Sequence, residues 1–197
     1  MAPTLSLLVP TAGRPSLRRT IDSVADQVLP GDELLVIGDT REGPLPGTEA
    51  ICADYPFVRY LEYTDGRMTF GHSQINHGID QARGDWIAGN DDDDQWTPGA
   101  LAAMREAIGA LAEPVPLLFR FQTYWRQILW TPEHRALGIL AEGTIGGHCL
   151  VMPNIPGKLG YRTTRYQADY DQIAEVIGLY GGRVGWCEYI IAVARPQ

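Results

Sequence analysis

The sequence predicts an α/β fold with a mostly parallel central sheet flanked by helices. Two observations carry this prediction. Short apolar runs alternate with amphipathic segments through the first hundred residues, and one of those runs leads directly into four successive aspartates, Asp91-Asp92-Asp93-Asp94. A continuous apolar run bounded by turn residues suits a strand buried on both faces, which is the environment of a parallel sheet.

Leu5-Ser6-Leu7-Leu8-Val9 reads as the first strand, ended by Pro10-Thr11-Ala12-Gly13-Arg14-Pro15. Leu17, Ile21, Val24 and Val28 then fall on one helical face before Pro30-Gly31 stops the pattern. Leu34-Leu35-Val36-Ile37 is a second strand, and strand, helix and strand at this spacing form a βαβ unit. Val58-Arg59-Tyr60-Leu61 is a third strand. A helix over residues 73–83 with Ile75, Ile79 and Ala82 on one face leads to a fourth, Trp86-Ile87-Ala88. After the aspartates, Thr97-Pro98 opens a helix that turns Leu101, Met104, Ile108 and Leu111 inward.

Beyond Pro114-Val115-Pro116 the alternation weakens. Residues 117–130 are strand-like and aromatic, Cys149–Met152 is an apolar run after Gly146-Gly147, residues 169–180 suit a last helix, and Trp186 to Ala194 a closing strand. No repeat or linker interrupts the chain, so it reads as one domain over 1–197, with a first half over 1–113 and a second over 114–197.

Composition narrows the chemistry. An apolar fraction of 45% and a charged fraction of 20% are those of an ordinary globular protein. The net charge of −8 argues against direct nucleic-acid binding, which depends on cations that neutralise phosphates. Cys52, Cys149 and Cys187 lack metal-site spacing and are odd in number, which suits reduced thiols. No leader-like segment opens the chain, and no apolar stretch reaches the roughly 18 residues of a membrane span. The expectation is a soluble, cytoplasmic protein.

In open parallel sheets ligands bind beyond the carboxyl ends of the strands, so Thr11, Asp39 and Asp91 to Asp94 should meet in one crevice. Four adjacent carboxylates repel unless a cation or a proton relieves them. A hard divalent cation, Mg²⁺ or Mn²⁺, takes oxygen ligands and commonly shares them with phosphates. A solvated turn that caps the next helix would also use aspartates, but needs only one or two of them.

Several segments, in order, resemble family 2 of the GT-A-fold glycosyltransferases: Leu7-Leu8-Val9-Pro10-Thr11-Ala12-Gly13-Arg14-Pro15, Leu35-Val36-Ile37-Gly38-Asp39, Asn76-His77-Gly78-Ile79, Ala82-Arg83-Gly84-Asp85-Trp86-Ile87-Ala88, and Asp91-Asp92-Asp93 on the family's Asp-x-Asp motif. The resemblance implies a GT-A-like fold and inverting transfer of a sugar from a nucleotide-diphospho-sugar (UDP-, GDP- or dTDP-linked) to an acceptor hydroxyl on a glycan, protein, lipid or small molecule. It places Pro10, Thr11, Arg14, Asp39, Asn76, Asp91 and Asp92 at the donor. Asp93 and Asp91 fall at the metal, with His148 as a further ligand. Within the acidic run, Asp92 is expected to be a spacer facing away and Asp94 a more distant or acceptor-side group. Ala168-Asp169-Tyr170-Asp171 resembles the family's Glu-Asp element, which makes Asp169 the catalytic base, although carboxylates at a helix start also serve its unpaired amides. Gly38 and Ala168 stand where acidic residues are frequent, and Ile75 where an arginine is, so a basic contact is either missing or supplied elsewhere.

His72 and His77 suit a solvated helix face. Of Tyr124, Trp125 and Trp130, at least two should be core, while Gly66 and Gly71 suit a loop that moves. The departures keep open a domain that binds a nucleotide-sugar or glycan without turnover. A nucleotidyltransferase would want a richer glycine and basic phosphate loop than Thr11-Ala12-Gly13-Arg14.

Overall fold

The computed structural model describes residues 2–65, 70–138 and 140–195; Gly66 lies outside them. Strand β1 (Leu5–Thr11) enters α1 (Leu17–Ala25), and β2 (Glu33–Asp39) is followed by a helix the sequence pattern does not announce, α2 (Pro46–Ala53). Next come β3 (Val58–Tyr63), α3 (His72–Gln81), β4 (Trp86–Gly89), the short β5 (Gln95–Trp96) and α4 (Ala100–Gly109). The second half holds β6 (Leu117–Gln122), β7 (Ile128–Leu129), α5 (Pro132–Leu137), β8 (Leu150–Pro153), α6 (Ala168–Leu179) and β9 (Gly185–Val193).

Among the described residues these strands form one sheet in the order β3-β2-β1-β4-β8-β6-β9-β5, with β7 paired to β6. It is parallel through β3-β2-β1-β4 and mixed beyond, because β8 runs antiparallel to both β4 and β6. Both faces are covered. Leu5, Leu7, Val9, Leu34 and Val36 point to one core, which α1 and α4 close with Leu17, Ile21, Leu101 and Met104. Leu8, Leu35 and Ile37 point to the other, which α3 and α6 close with Ile75, Ile79, Ile173 and Val176. Two-sided burial is the reason these strands read as unbroken apolar runs.

A buried polar knot fixes where β4 starts. Ser6 Oγ donates to Glu33 Oε1 at 2.7 Å and accepts from the Gly84 amide at 2.8 Å, which pins the α3–β4 turn to β1. Gly84 has no room for a side chain, since a Cβ there would stand 2.6 Å from the Ser6 backbone nitrogen and 2.7 Å from the Leu5 carbonyl carbon. We expect Gly84→Ala to lower unfolding stability by about 1–3 kcal/mol through overpacking against backbone, read from urea denaturation; an unchanged midpoint would refute the close approach.

Candidate functional site

A cleft of about 670 Å³ opens beyond the carboxyl ends of β1, β2 and β4. Pro10, Thr11 and Arg14 from β1 and its turn, Asp39 from the end of β2, and Asp91, Asp92 and Asp93 after β4 all line it. His148, from the single 3-10 turn Gly147–Cys149 that precedes β8, and Asp169 at the start of α6 join them from the second half. The crevice expected from strand order is therefore present, and both halves of the chain build it.

The acidic run is a turn rather than extended chain: the Asp94 amide donates to the Asp91 carbonyl at 3.2 Å. In a reversal of this kind the first and fourth residues converge, whereas the first and third would share a side only in a strand. Each carboxylate accordingly has its own surroundings. Asp92 does not face away: it is buried, accepting from Thr11 Oγ1 at 2.5 Å and from Arg14 Nη1 at 2.9 Å. Burial holds its carboxyl above the usual carboxylate range, although Thr11 and Arg14 pull the other way. Asp93 is taken by two guanidinium groups, Arg14 Nη1 at 3.2 Å and Arg195 Nε at 2.9 Å. Asp94 is buried, accepts the Arg195 amide at 2.9 Å, and uses its other oxygen toward His148.

The ligand atoms that gather are those of Asp91, Asp94 and His148, all within 4.8 Å of one another. Asp93, the expected partner of Asp91, is not in this group, and Asp94 takes its place. His148 Nε2 lies 2.9 Å from Asp94 Oδ2 and 3.7 Å from Asp91 Oδ2, yet this buried nitrogen has no properly directed hydrogen bond. Stacking of the ring on Phe121, at 4.1 Å between centroids and 5° between planes, holds it in that orientation. Burial disfavours the imidazolium, but the facing carboxylates of Asp94 and Asp91 outweigh it and raise its pKa. A ring nitrogen that faces two carboxylate oxygens is a donor set a divalent cation fits.

Across the cleft, Asp169 is fixed by two amides: Gly147 N donates to its Oδ2 at 3.1 Å and Tyr170 N to its Oδ1 at 2.8 Å. Asp171 turns elsewhere, to Thr163 Oγ1 and Arg165, both at 2.9 Å. Asp39 is held by Arg41, whose hydrogen bonds keep its carboxyl below the usual range.

Other expectations need correction. Asn76 does not line the cleft; its side chain accepts from the Arg162 amide at 2.8 Å and donates to the Arg162 carbonyl at 2.9 Å. His72 is not solvated but 4% exposed, with Nδ1 3.2 Å from the Thr163 carbonyl, whereas His77 packs on Tyr63. Of the three aromatic residues only Trp130 is core, because a β6–β7 hairpin turns between Thr123 and Gln127 and leaves Tyr124 52% and Trp125 83% exposed. Gly71 begins α3 at φ +73, where a Cβ would press on Pro10 at 3.0 Å. Arg162 and Arg195, which also line the cleft, had no signal in the sequence beyond being cations in polar segments.

The structure is thus a mixed α/β sheet of GT-A type, with an acidic turn and a histidine at its strand ends. Residues 6–178 match the model of glycosyl transferase family 2, and the chain belongs to that family. It is 31% identical over 106 residues to the uncharacterised glycosyltransferase YwdF of Bacillus subtilis, covering 53% of this chain and 38% of that protein. It is 31% identical over 109 residues to WcaA of Escherichia coli, a putative colanic acid biosynthesis glycosyl transferase, covering 51% and 36%. The fold matches S. aureus TarS residues 1–349 with a TM-score of 0.73 at 13% identity, over 97% of this chain and 60% of that one. The same protein in complex with UDP-GlcNAc matches at 0.72 and 16% identity, over 98% and 59%. The aligned regions thus amount to well under half the length of the two curated relatives. Among the described residues no helix is long and apolar enough to cross a membrane.

Thr11 Oγ1 donates to Asp92 and accepts the Gly13 amide at 3.0 Å, so removing it tests both bonds. We expect Thr11→Val to destabilise the protein by about 1–2 kcal/mol in urea, because it strips a donor from a buried carboxylate and keeps the side-chain shape; no change would mean Asp92 draws nothing from it.

Proposed function

We propose that this chain transfers a sugar from a nucleoside-diphosphate donor to an acceptor hydroxyl, with inversion, using a divalent cation. The observation that supports this most is the convergence of Asp91, Asp94 and His148 with Asp169 on one cleft of a family 2 glycosyltransferase. The uridine-linked donor is favoured among UDP-, GDP- and dTDP-sugars, because the TarS structure with a similar fold is a complex with UDP-GlcNAc.

In this reading the nucleoside lies along Pro10, Thr11 and Asp39, which form the wall at the ends of β1 and β2. Asp94, His148 and Asp91 would hold the cation; the imidazole among the oxygens suits Mn²⁺ better than Mg²⁺. When bound, it supplies Lewis-acid stabilisation to the diphosphate oxygens. Arg14 and Arg195 hold Asp93 in place beside that group. Asp169 accepts the proton of the acceptor hydroxyl while the acceptor oxygen forms its bond to the anomeric carbon. The bond from that carbon to the donor phosphate oxygen breaks on the opposite side, and the diphosphate leaves with the electron pair. The Gly147 and Tyr170 amides fix the carboxylate in position without taking part in the proton transfer.

Thermal-shift titrations of UDP-, GDP- and dTDP-sugars with Mn²⁺, Mg²⁺ or chelator test the donor half. We expect a cation-dependent rise in Tm that Asp94→Ala and His148→Ala abolish and Asp93→Ala retains in part. Stabilisation by no donor in the panel overturns the proposal. The catalytic half predicts that Asp169→Asn binds donor as the wild type does and loses at least about 100-fold in transfer rate, as removal of a general base does. Full transfer by that variant would exclude Asp169 as the base.

A further inference from the structure

Arg162 is the one cation of the cleft whose role the preceding sections leave open. It belongs to the segment between β8 and α6, and Asn76 of α3 clamps its backbone from both sides, at the amide and at the carbonyl. Its side chain therefore starts from a fixed point. Gly147 leaves the room for its head: a Cβ on that glycine would stand 2.2 Å from Arg162 Nη2. Arg162 borders both the cleft and a small apolar pocket lined by Leu8, Ile75, Ile87 and Leu150.

Its partners are fewer than its donors. The polar contact of the guanidinium is Nε to Gln172 Oε1, at 3.3 Å, and among the described residues no carboxylate comes within ion-pair distance of it. Arg14, Arg41 and Arg195 around the same cleft each hold an aspartate. Burial lowers the pKa of Arg162, against the pull of the Asp91 and Asp169 charges. A guanidinium kept in a fixed, half-buried position without an ion pair costs the folded protein stability, and an anion that docks on it recovers that loss.

We propose that Arg162 binds the diphosphate of the donor, its terminal nitrogens facing the phosphate oxygens from the side of the cleft opposite the acidic turn. This rests on the donor reading above and deepens it. The planar fork presents two parallel donors to a phosphate, which a lysine cannot do. Asp91 and Asp169 both act on its charge, so it stands near the cation-binding group and the base, where the leaving group gains negative charge during transfer.

The test uses isothermal titration of the full chain with UDP, UMP and uridine in Mn²⁺, beside its Tm without ligand. GDP or dTDP and their monophosphates and nucleosides replace these if one of them binds more tightly. For Arg162→Gln we expect UDP affinity to fall about 10- to 100-fold, the loss of a charge-assisted fork, with uridine affinity unchanged and the UMP loss smaller. Arg162→Lys should fall between the two. The Tm of ligand-free Arg162→Gln should equal or exceed the wild type, because an unpaired charge has been removed; a residue needed only for folding would lower Tm and all three affinities together. Wild-type UDP affinity in Arg162→Gln overturns the proposal, including the case in which kcat alone falls, which would make Arg162 a positioning residue for Asp169. A wild type that binds no nucleoside diphosphate overturns the donor reading and this inference with it.

Discussion

Four neighbouring carboxylates at the end of β4 cannot share one environment, and the geometry of the site follows from how the fold separates them. The reversal at Asp91–Asp94 sends each in a different direction, so that Asp92 enters the β1 turn, Asp93 meets two guanidinium groups, and Asp91 and Asp94 face His148. Each thereby acquires a partner that offsets repulsion, and Asp91 and Asp94 leave a place for positive charge between them. The β1 turn, the start of β8 and the end of β9 are all tied to this one segment. Displacing β4 would disturb each of those ties, which gives the Ser6–Glu33–Gly84 knot at its base a consequence for the site well beyond local packing.

The second half of the chain contributes by the same logic of fixed positions. The Gly146-Gly147 stretch lets His148 stack on Phe121, offers an amide to Asp169, and leaves room for Arg162. Asn76 on α3 reaches across to hold the Arg162 backbone, so the helix that precedes the acidic strand also sets the opposite wall of the cleft. Charges of both signs are thus mounted on elements far apart in sequence and are held by backbone contacts, so they need little reorganisation when a ligand arrives. The exposed hairpin aromatics, Tyr124 and Trp125, adjoin this assembly through Arg195, whose guanidinium lies 5.9 Å from the Tyr124 ring.

Much of the fold was legible before any coordinates. β1, β2, β3 and β4 fall where their apolar runs lie, and α1, α3, α4 and α6 where their periodic faces lie, each within a few residues. α2 and α5 were not legible: the first has a weak apolar face and the second buries none of its residues, so neither writes a period into the sequence. The aromatic segment misled for a related reason. Residues 117–130 contain a strand and a turn of similar composition, and only the hairpin decides that Trp130 goes inward while Trp125 goes out.

By itself the sequence pointed to the α/β class and to a crevice at the strand ends where Thr11, Asp39 and Asp91 meet, because alternating apolar runs and amphipathic segments mark parallel strands and their helices, whereas Arg14, His148 and Asp169 were pointed to by the family resemblance alone. Only the tertiary structure decided which aspartate faces which partner. An alternate-residue pairing of Asp91 with Asp93 would hold in an extended chain, but a turn brings the first and fourth residues together, and whether four aspartates extend or turn is set by Thr11, Arg14 and His148 from distant parts of the chain. Arg162 was hidden for the same physical reason: its position depends on an asparagine 86 residues away and on a glycine that gives it space.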